Sequence, residues 1–176
     1  KMSRVGKFLI ARPTVELGCF HHSVVFIYED SISGVAGVTL TTPSILKLND
    51  IVTSKEVDIH PGDHVIYRGG PVATHALMLV HSDDFSSTNT LHTGMGIDVS
   101  SDTLMVEKIL MGNKPLQYRF VSGYSAWGPG QLEKEIELGF WLITDLTNSI
   151  VFGKSGDNQW NAAVEQAGRQ MIDQYF

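Results

Sequence analysis

The amino-acid sequence predicts an α+β fold made as one domain, and three observations point there. Apolar runs of strand length, rich in valine, isoleucine and phenylalanine, outnumber the helical patterns. They follow one another across glycine, proline and aspartate turns, as hairpins do. The three or four helical patterns are interspersed, without the regular strand–helix alternation of a doubly wound sheet. A length of 176 residues suits a single domain, residues 1–176, with one substantial core.

Phe8-Leu9-Ile10-Ala11 is the first strand, stopped by Arg12-Pro13. Ser23 to Tyr28 combines β-branched and aromatic residues and predicts a central strand, closed by Glu29-Asp30. Gly34 and Gly37 bracket a turn into a strand from Val38 to Thr41, giving a hairpin. Thr42-Pro43-Ser44 ends it, and Ser44 is placed to cap a short helix from Ile45 to about Val52. His60-Pro61-Gly62-Asp63 reads as a turn before a strand from His64 to Arg68. Gly69-Gly70-Pro71 then turns the chain into an apolar run, Ala76 to Val80, that ends at His81.

Thr88 to Thr93 and Ile97 to Val99 are two strands around Gly94-Met95-Gly96. Ser100-Ser101-Asp102 starts a helix with Leu104, Ile109 and Leu110 on its apolar face, and Gly112 ends it. Tyr118 to Val121 is a strand leading into Gly123-Tyr124-Ser125-Ala126-Trp127-Gly128-Pro129-Gly130, read as a backbone-limited turn. A helix follows, with Leu132 and Ile136 on one face and Glu133 and Glu135 at its positive end. Phe140 to Ile143 and Ile150 to Phe152 read as strands around a polar turn. The last helix starts at about Asn158 and sets Trp160, Val164, Ala167 and Met171 on one face.

Composition narrows the function classes. A hydrophobic fraction of 43% with 18% charged residues fits a globular protein rather than a disordered one. No apolar run approaches the roughly 20 residues that cross a bilayer. Lys1 to Lys7 leads into a strand-length apolar run rather than a signal-peptide core, and Met2 is read as the natural start, so a cytoplasmic location without membrane contact is expected. The single cysteine, Cys19, allows no internal disulfide and reads as a small packed residue. A formal charge of −6 argues against direct nucleic-acid binding, which draws on many phosphate contacts.

Two surfaces attract attention. Around Gly123 to Gln131, Tyr124, Trp127, Gly130 and Gln131 either line a ligand or partner surface, or Trp127 anchors the core while glycines allow close packing. Gly69, Gly70 and Pro71 either aim backbone N–H groups at a ligand or form a sharp hairpin turn. His81 at a strand end joins them as a candidate, against a reading as a hydrogen-bonded structural residue. His60 and His64 have the four-residue spacing of helical metal ligands, but Pro61-Gly62 breaks any helix between them, so no metal site is expected. No Gly-x-x-x-x-Gly-Lys loop or other cofactor motif is present, and no cofactor is expected.

Several of these stretches also occur, in this order, in a known family. Phe8-Leu9-Ile10-Ala11-Arg12-Pro13, Phe20 with Ser23-Val24-Val25, Gly34 and Gly37 with Pro43, Gly69-Gly70-Pro71-Val72, His81, Gly123 to Ile136, Trp141-Leu142, Ile150-Val151-Phe152 and Trp160 together resemble the bacterial AlgH/YqgE family. The resemblance implies a curled, mixed and mostly antiparallel sheet, a pseudo-barrel, with helices packed on it. It also implies a regulator of transcription, without supplying a biochemical activity. Three stretches depart from the family pattern: Thr41-Thr42-Pro43 for Asn-Arg-Pro, Glu29-Asp30 for Glu-His, and His75-Ala76 for Asp-Arg. The substitutions remove cationic groups from any shared anion site.

The reading that results is a non-enzymatic regulatory or binding protein acting through a small ligand or a protein partner. The alternative is a hydrolase using His81 with Asp83 or Glu29, although neither a Gly-x-Ser-x-Gly elbow nor a His-Glu-x-x-His motif accompanies them.

Overall fold

The computed structural model describes residues 2–13, 18–51 and 64–175. In chain order the elements are β1 (Phe8–Ala11), β2 (Val24–Ser31), β3 (Gly34–Thr39), β4 (Pro43–Lys47), α1 (Leu48–Ile51), β5 (Val65–Arg68), β6 (Val72–Ser82), β7 (Thr90–Leu91) and β8 (Ile97–Ser100). There follow α2 (Thr103–Leu110), β9 (Tyr118–Trp127), α3 (Gln131–Glu137), β10 (Trp141–Thr144), α4 (Asn148–Gly153) and α5 (Gly156–Tyr175). A short 3-10 turn spans Gly18–Phe20.

One curled sheet runs β10-β1-β2-β3-β9-β6-β8-β7, with β5 and β4 branching from β9. The long strand β9 makes this possible. Its first half pairs with β5 in parallel, Ile66 opposite Phe120 and Arg68 opposite Ser122, while its second half pairs antiparallel with β3, Val35 opposite Trp127. Strand β6 lies along its other edge, Leu79 opposite Phe120. All other pairings are antiparallel, so the sheet is mixed and mostly antiparallel as expected.

Alternation along the strands decides which side chains face which core. Phe8, Ile10, Val24, Phe26, Val80 and Val121 point into the curl, where Ile150 and Val151 of α4 and Trp160, Ala163 and Ala167 of α5 fill it. The intervening residues point outward and are buried too. Leu9, Val25, Ile27, Trp127 and Trp141 pack beneath Leu132 of α3, and Leu79 and Phe120 pack beneath Met105 and Ile109 of α2. Strands covered on both faces read as unbroken apolar runs, which is why β1 and β2 are so visible in the sequence.

Several boundaries differ from the sequence reading. Glu29 and Asp30 lie inside β2, carried past the expected stop by a bulge after Ile27. Gly34 and Gly37 belong to β3 rather than flanking it. Pro43 to Lys47 is a strand, because Ser44 Oγ donates to Ile66 O at 2.7 Å instead of capping a helix at Ile45. Strand β7 is confined to Thr90–Leu91. Gly123 to Trp127 is the second half of β9, and only Gly128-Pro129-Gly130 turns. On α2, Met105 is buried and Leu104 is 40% exposed; on α5, Met171 is 50% exposed.

Ile150 to Phe152 is helical, not a strand, which makes five α-helices among the described residues where three or four were expected. Its β-branched residues are overruled by long-range hydrogen bonds to its carbonyls. The Gln159 amide donates to Ile150 O at 3.0 Å and Val151 O at 2.9 Å, and Arg119 donates to Phe152 O at 3.4 Å. The expected turn at His60 to Asp63, the His60 half of the histidine pair, the Val52 end of the first helix and the Cys19 side chain lie outside the described residues.

Asp102 caps α2 as its position predicts, accepting from Met105 N at 2.8 Å, and it also accepts from Ser87 Oγ at 2.6 Å and Asn89 N at 2.9 Å. Burial alone would raise its carboxyl; these three donors hold it below its ordinary value instead. A depressed carboxylate stabilises the fold above its unfolded value and loses that contribution as pH falls through the folded one. Asp102→Ala is therefore expected to cost about 1 kcal/mol at neutral pH. The gap from the parent should narrow below about pH 4, as urea unfolding at several pH values would show.

Candidate functional site

The eight residues singled out in the sequence do not share one surface. Trp127 is only 3% exposed and packs against Phe20, at 6.0 Å between ring centres, and Trp141, at 6.1 Å. Tyr124 is half-buried against the core inside the curl, the opposite face from Trp127. Gly130 begins α3 with φ of +78°, and Gln131 folds back so that its Oε1 accepts from Gly128 N at 3.0 Å. Gly130 borders a cleft of about 460 Å³ with Met2, Asp30, Ile32 and Glu133, where Arg4 is held by both carboxylates.

Gly69 and Gly70 lie where the β5–β6 connection crosses β9. Gly69 N donates to Ser122 O at 2.8 Å, and Gly69 O accepts from Thr39 N at 2.8 Å. A Cβ on Gly70 would overlap the Tyr124 carbonyl, and one on Gly123 would overlap Gly70 O. The glycines thus permit two backbones to touch, and their polar groups serve that crossing. Pro71 beside them is exposed.

His81 is fully buried. Its Nδ1–H donates to Ser82 O at 2.8 Å, which leaves Nε2 to accept from Ser100 Oγ at 2.8 Å. Thr90 Oγ1 lies 2.7 Å from Ser100 Oγ and completes the chain. Burial pushes the imidazole below its ordinary value, so it is held neutral. Both ring nitrogens are occupied, and neither Asp83 nor Glu29 bonds to them.

The residue that sequence reading missed is Arg119. It is 7% exposed, the second residue of β9, and its side chain enters the curl beside α4. Nη1 donates to Leu40 O at 2.6 Å and Gln159 Oε1 at 3.0 Å; Nη2 donates to Lys154 O at 2.7 Å and Phe152 O at 3.4 Å. The guanidinium stacks 4.1 Å from the centre of the Tyr67 ring. Burial pulls it below its ordinary value, and Tyr67 opposes that shift. Among the described residues no carboxylate pairs with it, and its Nε–H has no protein acceptor. The one available signal was a charged residue inside the apolar run Tyr118 to Val121.

Arg119 and Tyr67 form the floor of a polar cleft of about 570 Å³ between α4 and α5. Lys154, Ser155, Asn158 and Asn161 are exposed on its walls. Ser155 and Asn158 lie at the first turn of the long helix α5, whose positive end favours negative charge, although Gly156 N already donates to Thr41 O at 3.0 Å and Asp157 stands in the same turn. Glu165, at the rim, is paired with Arg169 at 2.8 Å. This arrangement suits an anion: donors dominate, and a desolvated cation lies beneath them. Among the described residues no group of acidic, histidine and cysteine side chains could hold a metal ion. No helix among them is long and apolar enough to cross a membrane.

Comparison with known proteins agrees with the architecture. A UPF0301 protein of Methylococcus capsulatus is 29% identical over 170 residues, 93% of this chain and 91% of that one. A UPF0301 protein of Thioalkalivibrio sulfidiphilus is 30% identical over 165 residues, 93% of this chain and 89% of that one. The solution structure of the AlgH protein from Pseudomonas aeruginosa superposes with a TM-score of 0.78 at 28% identity, covering 96% of this chain and 93% of that one. Protein DIP2367 of Corynebacterium diphtheriae shares the fold, with a TM-score of 0.77 at 22% identity, over 94% of this chain and 88% of that one. The model of the AlgH-like family matches residues 8–172, and the chain belongs to that family.

Proposed function

We propose that this chain is a non-enzymatic binding protein whose ligand is a small molecule bearing an anionic group, held in the cleft over Arg119. The observation that carries the reading is a buried guanidinium that meets no carboxylate among the described residues, at the floor of an open cleft. The carbonyls of α4 orient it and offset part of its desolvation, but a formal positive charge remains for a ligand to meet. The neutral, saturated His81 supports binding over hydrolysis. The formal charge of −6 favours regulation through ligand occupancy over direct DNA contact.

Inorganic phosphate is the simplest probe. At ten times its dissociation constant it is expected to stabilise the fold by about 1.4 kcal/mol, read as a thermal shift that saturates. The double variant Asn158→Asp, Asn161→Asp puts carboxylates over the cation from exposed positions and is expected to weaken phosphate binding at least about tenfold while folding normally. Equal stabilisation of the parent and the double variant would place the anion elsewhere.

A further inference from the structure

The polar cleft does not end at Arg119. A second hollow of about 200 Å³ adjoins it and shares Tyr67, Arg119 and Phe152 as a common wall. Among the described residues its remaining lining is His64, Val65, Tyr118 and Phe120, without the lysine, serine or asparagine side chains that line the first. His64 Nε2 and Tyr118 Oη lie 2.8 Å apart, and their rings are nearly parallel with centres 5.8 Å apart. Phe120 meets both rings edge-on, at 5.8 Å and 6.1 Å. Tyr118 and His64 are thus fixed in orientation, with Tyr118 half-buried and held protonated by that burial.

The combined site is therefore divided by chemistry. One lobe offers charge and amide donors, and the other offers aromatic faces, with the Arg119–Tyr67 stack at the boundary. We infer that the natural ligand joins an anionic group to a planar aromatic or heteroaromatic ring, the anion over the first turn of α5 and the ring against Tyr118 and His64. A free anion would leave the aromatic lobe to water, and an uncharged ring would leave the guanidinium unmet. Ligands with both parts include mononucleotides and aryl phosphates, which share this chemistry; the site reads their ring by stacking and their charge by Arg119.

This inference rests on the anion-binding reading above, and the two can fail separately. Calorimetric titrations with inorganic phosphate, phenyl phosphate and uridine monophosphate would be compared on the parent and on Tyr118→Leu, which keeps apolar bulk but removes the ring face. The expected result is that phenyl phosphate binds at least about tenfold more tightly than inorganic phosphate. Tyr118→Leu should remove that advantage while leaving phosphate binding in place. Uridine monophosphate matching or exceeding phenyl phosphate would assign the lobe to a nucleobase; weaker binding than phenyl phosphate would assign it to a smaller ring. Equal affinity for inorganic and phenyl phosphate would overturn the bipartite ligand and leave the anion site standing. Failure of all three to bind would overturn both.

Discussion

Arg119→Met is expected to lower the unfolding free energy by about 3 kcal/mol, a fall of roughly 6–12 °C in Tm for a chain of this size. Removing a desolvated charge is itself favourable, and methionine nearly fills the volume. Against that gain stand the carbonyls of Leu40, Phe152 and Lys154 and the Gln159 amide oxygen, all of which lose a donor. A buried acceptor left bare costs about 1–3 kcal/mol, and the two buried ones, Leu40 O and Gln159 Oε1, together with the part-buried carbonyls of Phe152 and Lys154, outweigh one relieved charge. The loss should concentrate at α4, whose carbonyls Arg119 and Gln159 hold in place. Amide exchange would then accelerate in residues 148–153 ahead of β1 and β2. A variant as stable as the parent would show that the guanidinium supports no structure at α4.

Gly123→Ala should be the more damaging single methyl group, with a cost of about 4 kcal/mol or more. Gly123 has φ of +81°, and a Cβ there would overlap Gly70 O and crowd Val72 O at 3.2 Å. Both neighbours are backbone, so relief requires moving the start of β6 and the connection before it away from β9. Gly168→Ala is the matched control. Gly168 lies inside α5, and a Cβ there would meet nothing within 4 Å, so that change should stabilise by about 0.5–1 kcal/mol. Urea midpoints of the two variants should move in opposite directions; a Gly123→Ala midpoint equal to the parent's would mean the two backbones do not touch.

The strands were legible because most are buried on both faces. Phe8 to Ala11 and Val24 to Ile27 carry apolar residues at every position, since alternate side chains feed two separate cores. Helix α2 was legible from its cap, Asp102, which acts within three residues. Helix α4 was not. Its side chains favour a strand, and the groups that make it a helix, Arg119 and Gln159, are 33 and 8 residues away from the carbonyls they meet. The motif Gly123 to Gly130 was recognised as constrained, but its constraint is a backbone crossing with Gly69 and Gly70. That crossing needs a partner segment more than 50 residues upstream, which no local pattern names. The cleft was invisible for the same reason: Tyr67, Arg119, Lys154 and Asn158 meet only through β5, β9 and the α4–α5 junction.

The Arg119 Nε–H group gives the most direct test of the central claim, because among the described residues it has no acceptor, whereas Nη1 and Nη2 do. Its side-chain cross-peak would be followed by 1H–15N spectroscopy while inorganic phosphate is added. That signal should shift saturably together with the backbone amides of Ser155 and Asn158, and the shift should be abolished in the Asn158→Asp, Asn161→Asp variant. A signal unmoved at saturating phosphate, or one that moves equally in the double variant, would contradict an anion site over Arg119.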